Sequence, residues 1–112
     1  MSVLVVADMF GIAGRRHELL TVLADAERDA AAQDGCLRYS FAAAVGDPDH
    51  FVLVAEWRDQ EALDAHYASL GFERFQFSLS ALLARPSEMT MYSVSGSRRP
   101  LASGPMDPRE AD

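Results

Sequence analysis

The chain contains no lysine and a single cysteine among its 112 residues. All ten of its basic residues are arginine, and the formal net charge is −7. Binding to nucleic acid or to an anionic membrane surface requires a basic patch. Since no run of arginines is longer than a pair, we expect no nucleic acid and no membrane as a partner. The lone Cys36 excludes an internal disulfide and a zinc site of the CxxC type.

Long apolar segments are also missing. No apolar run approaches the roughly 18 residues that a transmembrane helix needs. The N-terminal segment MSVLVVADMF lacks the basic residues and the small-residue cleavage site of a signal peptide. These features and the single thiol lead us to expect a cytoplasmic protein. No phosphate-binding loop, dinucleotide-binding glycine motif or HExxH zinc motif occurs in the sequence.

The apolar residues, 49% of the chain, follow alternating strand and helix periodicities in the order β-α-β-β-α-β. This order predicts an α+β, ferredoxin-like fold with an antiparallel sheet and helices on one face. Glycine, proline, serine and charge dominate from Gly96 onward. We therefore expect a folded domain over residues 1–95 and a flexible tail or arm over 96–112. The predicted strands are 2–10, 36–45, 50–58 and 88–94; the predicted helices are 15–34, ending before Gly35, and 60–85, broken at Gly71 and ended by Pro86.

Two of the predicted strands are apolar on both faces. In residues 50–58, Phe51 and Trp57 lie on one face, whereas Val52 and Val54 lie on the other. Two helices can cover only one face of the sheet, and a strand that is apolar on both sides needs cover on both. In a chain this short, with its marginal core, the cover for the second face is expected to be another copy of the protein. The sequence therefore predicts a homodimer.

Four segments in order resemble the antibiotic biosynthesis monooxygenase family. The resemblance extends over residues 2–95. The segments that carry it are Gly35-Cys-Leu-Arg-Tyr39, the Asp47-Pro48 turn, the strand Phe51-Val-Leu-Val-Ala-Glu56-Trp57, and Glu61-Ala-Leu-Asp-Ala-His66 followed by Ser69 and Phe72.

The resemblance implies a dimeric α+β barrel with a pocket between sheet and helices in each subunit. Characterised members of the family oxidise aromatic phenols to quinones with O2, without a metal or flavin, so no cofactor and no metal site are expected. Other members of the superfamily degrade haem, isomerise small molecules or have no known activity. Haem degradation is disfavoured. The position of the iron-ligating histidine of the haem-degrading members falls at or beside Gln76, and the first strand lacks the asparagine that those enzymes use, although His66 is in principle able to ligate iron.

His66 is the candidate catalytic residue. It lies on an apolar helical stripe, either as a core histidine bonded to a strand partner or as the polar group of an apolar pocket. In the second case it can accept a phenolic proton near neutral pH. Trp57 is a candidate for stacking on a flat substrate, or belongs to the core or the dimer interface. Tyr39, Tyr67 and Phe72 either line the pocket or fill the core.

Two acidic residues interrupt apolar strands. Asp8, in the first strand, is a candidate substrate-binding residue or a wet residue near the strand end. Glu56 is either half of an ion pair, with Arg38 or Arg58 as its partner, or a catalytic acid. An ion pair is the simpler explanation, because a buried carboxylate needs a compensating charge or hydrogen bond.

The leading hypothesis is a cofactor-independent monooxygenase that oxidises an aromatic or quinol-like small molecule with O2. A dimeric module that binds such a molecule without turnover is the first alternative. An isomerase or cyclase that uses His66 as acid and base is the second. In the leading hypothesis His66 is catalytic, and the substrate-binding residues are Trp57, Tyr39, Phe72, Tyr67 and Asp8.

Overall fold

A computed structural model describes residues 1–100 and Gly104, and it contains a four-stranded antiparallel sheet with three helices. The strand order is β2-β3-β1-β4. This arrangement confirms the predicted α+β, ferredoxin-like fold. Most of the predicted tail, residues 96–112, lies outside the described residues, so the tail stays a prediction. The elements are β1 (Ser2–Phe10), α1 (Arg16–Ala31), β2 (Cys36–Ala43), β3 (His50–Trp57), α2 (Gln60–Tyr67), α3 (Leu70–Ser80) and β4 (Glu88–Val94).

The odd-numbered residues of β1 and β3 form one face of the sheet, which we call the covered face. Val5 pairs with Ala55 of β3 on one side and with Met91 of β4 on the other. Directly paired residues project to the same side of a sheet, so this register places the buried positions of β1 and β3 together. Every odd-numbered position of both strands, from 3 to 9 and from 51 to 57, is buried.

The helices pack on the covered face with residues three, four or seven positions apart, which is the spacing of one helical face. These residues and the covered face form one hydrophobic cluster. The same face of α2 also buries His66. None of the helices among the described residues has the length and apolarity to cross a bilayer. The buried helical residues are Leu19, Leu23, Ala26 and Ala30 of α1, Ala62, Leu63 and His66 of α2, and Leu79 of α3.

The even-numbered residues of β1 and β3 form the opposite face, which we call the open face. These positions are half-buried along both strands. Leu4, Val6, Val52 and Val54 make its centre apolar, and the register adds Tyr92 of β4 beside Leu4. The helices within residues 1–100 bury their apolar residues against the covered face instead. The two-sided apolar pattern predicted from the sequence is therefore present in the fold.

The break in the second helical region lies at Ser69 and not at Gly71, as the sequence had suggested. Ser69 is the N-cap of α3, and its hydroxyl oxygen accepts a hydrogen bond from the Phe72 amide at 3.2 Å. A capping serine stabilises the start of a new helix, so Gly71 falls inside the first turn of α3. The helix then ends at Ser80, well before Pro86.

Gly35 does not end α1 directly, because the helix ends at Ala31. It takes a positive φ of 83°, in the left-handed region that glycine adopts without strain. Its carbonyl oxygen accepts a hydrogen bond from the Arg58 amide at 2.7 Å. A Cβ at this position would lie 2.5 Å from that of Ala62. The glycine thus lets the α1–β2 turn approach the start of α2 closely.

Candidate functional site

The N-terminal cap of α2 is Asp59. One carboxylate oxygen of Asp59 accepts a hydrogen bond from the Ala62 amide at 2.8 Å, which satisfies an otherwise free amide of the first turn. Leu63 and His66 follow on the buried side, three residues apart. His66 is 5% exposed. Among the described residues it is the one polar residue that is buried. The cap and the apolar stripe thus turn an imidazole toward the sheet.

Four aromatic rings surround the imidazole of His66. Trp57 stacks on it, with ring centroids 4.5 Å apart and an interplanar angle of 29°. Phe72 and Tyr39 approach edge-on at 5.0 and 5.5 Å, and Tyr67 lies at 5.5 Å. These are the four aromatic residues that the sequence analysis proposed as substrate-binding walls. The fold brings all four to the proposed catalytic residue.

The hydrogen bond of His66 determines which of its nitrogens is available. Its Nδ1 lies 2.8 Å from the side-chain carbonyl oxygen of Gln33, in the turn between α1 and β2. An amide oxygen only accepts hydrogen bonds, so Nδ1 donates its proton to it. In the neutral ring Nε2 then carries the lone pair. The partner is thus a glutamine rather than the strand residue expected of a core histidine, and no sequence pattern had pointed to Gln33.

A cavity of about 240 Å³ lies between the covered face and the helices α2 and α3. Since a water molecule occupies about 30 Å³ in the liquid, the cavity has room for a small aromatic molecule. His66 and the four aromatic residues all line it. Other lining residues were not predicted from the sequence, among them Gln76, Ser87 and Met89. Gln76 and Ser87 add polar groups to an otherwise mostly apolar wall.

Burial sets the protonation states in this cavity. It lowers the pKa of His66 below its usual value, while the carboxylate of Asp29 acts weakly in the opposite direction. His66 is therefore neutral at pH 7 and able to accept a proton. Burial also raises the pKa of Tyr39 and of Tyr67, so both hydroxyls stay protonated. The site thus contains one proton acceptor and two phenolic donors; the Tyr67 hydroxyl lies 3.5 Å from the sulfur of Met89.

Asp8 does not face the cavity, and this part of the predicted site is wrong. Asp8 is an even-numbered residue of β1, so its side chain projects to the open face, away from His66. One carboxylate oxygen lies 2.7 Å from Nε2 of His50. The error arose because an acidic residue in an apolar strand does not reveal on which face of the sheet it lies.

Glu56 also lies on the open face. It pairs in register with Leu4 and Arg38, but its side chain accepts a hydrogen bond from the Ser2 hydroxyl at 3.0 Å. The other predicted partner, Arg58, forms its ion pairs with Asp34 and Asp59. Within the described residues the predicted ion pair of Glu56 is therefore replaced by a hydrogen bond to serine.

The sequence of the chain matches a known protein family. The sequence profile of the antibiotic biosynthesis monooxygenase family matches residues 2–77. An uncharacterised protein of Synechocystis is 32% identical over 63 residues, which are 56% of this chain and 43% of that protein. The chain thus spans less than half the length of that relative.

Solved structures share the fold. The Rv0793 protein of Mycobacterium tuberculosis is 25% identical, with a TM-score of 0.81 over 88% of this chain and 100% of its own. SnoaB of Streptomyces nogalater, a cofactor-independent oxygenase, is 24% identical, with a TM-score of 0.76 over 86% of this chain and 95% of its own. The profile match over residues 2–77 shows that the chain belongs to the antibiotic biosynthesis monooxygenase family.

Proposed function

We propose that this protein is a cofactor-independent monooxygenase that oxidises an aromatic or quinol-like small molecule with O2 in the cavity beside His66. The observation that carries the proposal is a neutral imidazole inside an aromatic-lined cavity, with Nδ1 bound to Gln33 and Nε2 left for a ligand. Membership of the family supports this reading, and so does the structural likeness to SnoaB, a cofactor-independent oxygenase.

Substrate binding follows from the lining of the cavity. Trp57, Phe72 and the aliphatic residues of the covered face offer apolar surface to a flat ring. The protonated hydroxyl of Tyr39 is available to donate a hydrogen bond to an oxygen substituent on that ring, and the Tyr67 hydroxyl can exchange its weak hydrogen bond to the Met89 sulfur for one to such a substituent. A ligand seated in this way places a phenolic hydroxyl within reach of His66.

The chemistry begins with a proton transfer to Nε2 of His66, which acts as a general base. The resulting phenolate is electron-rich and reduces O2. One oxygen atom is added to the ring carbon opposite the original hydroxyl. The other leaves as water with the phenolic hydrogen and the hydrogen lost from that carbon. A phenol and O2 thus give a quinone and water. The apolar lining excludes bulk water and strengthens the interaction between the phenolate and the imidazolium.

The proposed active protein is a homodimer in which two open faces pack against each other. Leu4, Val6, Val52 and Val54 are half-buried in one copy, and their burial against a second copy is favourable at about 25 cal/mol per Å² of apolar surface. Asp8 and Glu56, which lie toward the ends of this apolar strip, already have hydrogen-bond partners. Their pairing lowers the penalty of removing them from water.

O2 uptake and quinone formation with a model phenol that carries hydrogen on the carbon opposite its hydroxyl test the enzymatic proposal. We expect catalysed uptake by the wild type and a loss of about 10²–10⁴-fold in His66→Ala and His66→Gln, because positioned general bases contribute that much. His17→Ala is the matched control, since His17 is an exposed histidine of α1. The folded state of each variant is checked by circular dichroism. Full activity in both His66 variants would show that His66 is not the general base.

Two other outcomes identify the alternatives. Saturable binding of an aromatic ligand without O2 uptake or product would identify a binding module that uses the same cavity. Conversion of the ligand without O2 consumption would identify an isomerase or cyclase in which His66 moves protons. Either result contradicts the monooxygenase proposal while leaving the cavity as the ligand site.

A further inference from the structure

Asp29 of α1 occupies the space that a side chain at position 71 would fill. A Cβ built on Gly71 would lie 1.8 Å from one carboxylate oxygen of Asp29 and 2.8 Å from its carboxyl carbon. Gly71 does not have a positive φ, so backbone conformation does not require glycine at this position. The glycine instead leaves a seat for the Asp29 carboxylate against the first turn of α3, where negative charge is favourable.

This seat adjoins the proposed catalytic residue. A void of about 10 Å³, too small for a ligand, is lined by Asp29, Gly71, Tyr39 and His66, among others. Asp29 and His66 therefore face the same small space between α1, the sheet and the start of α3. The Asp29 side chain also borders the outer groove between α1 and α3 and is exposed there, so solvent screens part of its interaction with the imidazole.

We propose that Asp29 is a positioning residue for the reaction: its carboxylate, seated against Gly71, stabilises the imidazolium that forms when His66 takes the substrate proton. This inference rests on the proposed function. The direct effect of Asp29 on the pKa of His66, upward and against the effect of burial, has the sign that this role requires. Asp29 does not touch the substrate, so its part is to set the charge balance around the base.

The other ionisable groups near His66 do not supply this charge. Tyr39 and Tyr67 are neutral, because burial raises the pKa of both hydroxyls. The neighbouring charged groups line the outer groove or have partners of their own. Glu27 accepts a hydrogen bond from the Phe41 amide at 2.7 Å, Asp25 forms an ion pair with Arg28, and Arg74 lines the outer groove between α1 and α3 together with Asp25 and Asp29.

The test is an NMR titration of the His66 ring in the full chain, with the His66→Gln spectrum identifying its signal. We expect Asp29→Asn to lower the titration midpoint of His66, because the favourable charge is lost. Asp25→Asn is the matched control: it removes a carboxylate one turn earlier on α1, which lines the outer groove but not the void beside His66. A midpoint in Asp29→Asn equal to that in Asp25→Asn would overturn the proposal.

Gly71→Ala tests whether the space beside Gly71 holds the Asp29 carboxylate in place. The three atoms nearest the added methyl all belong to the carboxyl group of Asp29, which can turn away, so the variant is expected to fold. We expect it to lower the His66 midpoint while leaving every charge in place. The double variant Asp29→Asn/Gly71→Ala should titrate like Asp29→Asn alone. An unchanged midpoint in Gly71→Ala would contradict the proposal.

These titrations need no substrate, so they separate this inference from the proposed function. If Asp29→Asn lowers the titration midpoint of His66 but the wild type takes up no O2, the effect of Asp29 on His66 is supported and the monooxygenase proposal is rejected. Where turnover is measured, the acidic limb of the pH profile of kcat/KM should move to lower pH in Asp29→Asn and stay in place in Asp25→Asn. A limb that does not move would contradict the role of Asp29.

Discussion

The two faces of the sheet are made from the same strands but have different surroundings. On the covered face Val5 and Trp57 are 2% and 1% exposed, and helices complete the packing. On the open face the neighbouring residues Leu4 and Val54 stay half-buried. Polar groups follow the same division: His66 lies in an apolar cavity, whereas Asp8 bonds to His50 on the open side.

The proposed reaction takes place on the covered face, whereas the proposed dimer forms through the open face. A base whose protonation is set by its neighbours needs an apolar site, and among the described residues the covered face provides such a site beside His66. At the centre of the open face, Leu4, Val6, Val52 and Val54 leave half-buried apolar surface, which the proposed dimer would cover. The four predictions below test this division, from the largest expected effect to the smallest.

Phe51→Ala should produce the largest loss of stability, about 3–5 kcal/mol, because it leaves a cavity in the covered face where Phe51 is 2% exposed. Urea unfolding at fixed protein concentration measures the effect. Val52→Ala is the adjacent control on the open face, and its effect should be less than half as large. Equal losses would mean that the two faces contribute similarly to the stability of one chain.

Val54→Asp should weaken the proposed dimer, because it places an unpaired charge at the centre of the open face. We expect the dissociation constant to rise at least about tenfold, or about 1.4 kcal/mol, as measured by sedimentation equilibrium. Val45→Asp is the matched control, since Val45 is 99% exposed in the β2–β3 turn. A dimer of unchanged affinity in Val54→Asp, or a monomeric wild type, would reject assembly through the open face.

Ser69→Ala should lower stability by about 1 kcal/mol, because it removes the N-cap of α3. The same hydroxyl donates a hydrogen bond to the His66 carbonyl at 2.6 Å, so the change also loosens the end of α2. Ser69→Thr keeps the hydroxyl and should retain most of the stability in the same thermal unfolding measurement. If Ser69→Thr lost as much as Ser69→Ala, the cap would not explain the effect.

Acidification should give the smallest effect. Burial lowers the pKa of His66 in the folded protein, so the unfolded chain binds more protons at this site below about pH 6.5, the ordinary histidine value. The contribution of His66 to stability is therefore complete above that pH and decreases as the pH falls toward the lowered pKa. Unfolding free energies from pH 8 to pH 5 measure it. His66→Gln should lack this component, and an identical pH dependence in both proteins would contradict it.

The cluster at the site could be predicted largely from local patterns. His66 and Phe72 belong to a segment whose helical spacing and family resemblance place them beside the sheet, and Trp57 ends the strand before it. The last strand was predicted with its observed bounds, Glu88–Val94. Such features depend on residues a few positions apart in the chain, and the periodic spacing of apolar residues predicts them.

The features that could not be predicted depend on distant contacts. Gln33 lies 33 residues from its partner His66. Gly71 was interpreted as a helix break because nothing nearby shows that Asp29 fills the space beside it. Asp8 was assigned to the pocket because the sequence contains the alternation of β1 but not which of its faces the helices cover.

The sequence by itself determined the order of elements, the family and the residue types that surround a single histidine. These follow from hydrophobic periodicity and capping, which act along the chain. Only the tertiary structure decided which face of the sheet holds the cavity, which nitrogen of His66 is free and which carboxylate lies behind it. These depend on packing between segments far apart in sequence, and a small rotation or shift of one element would change each of them.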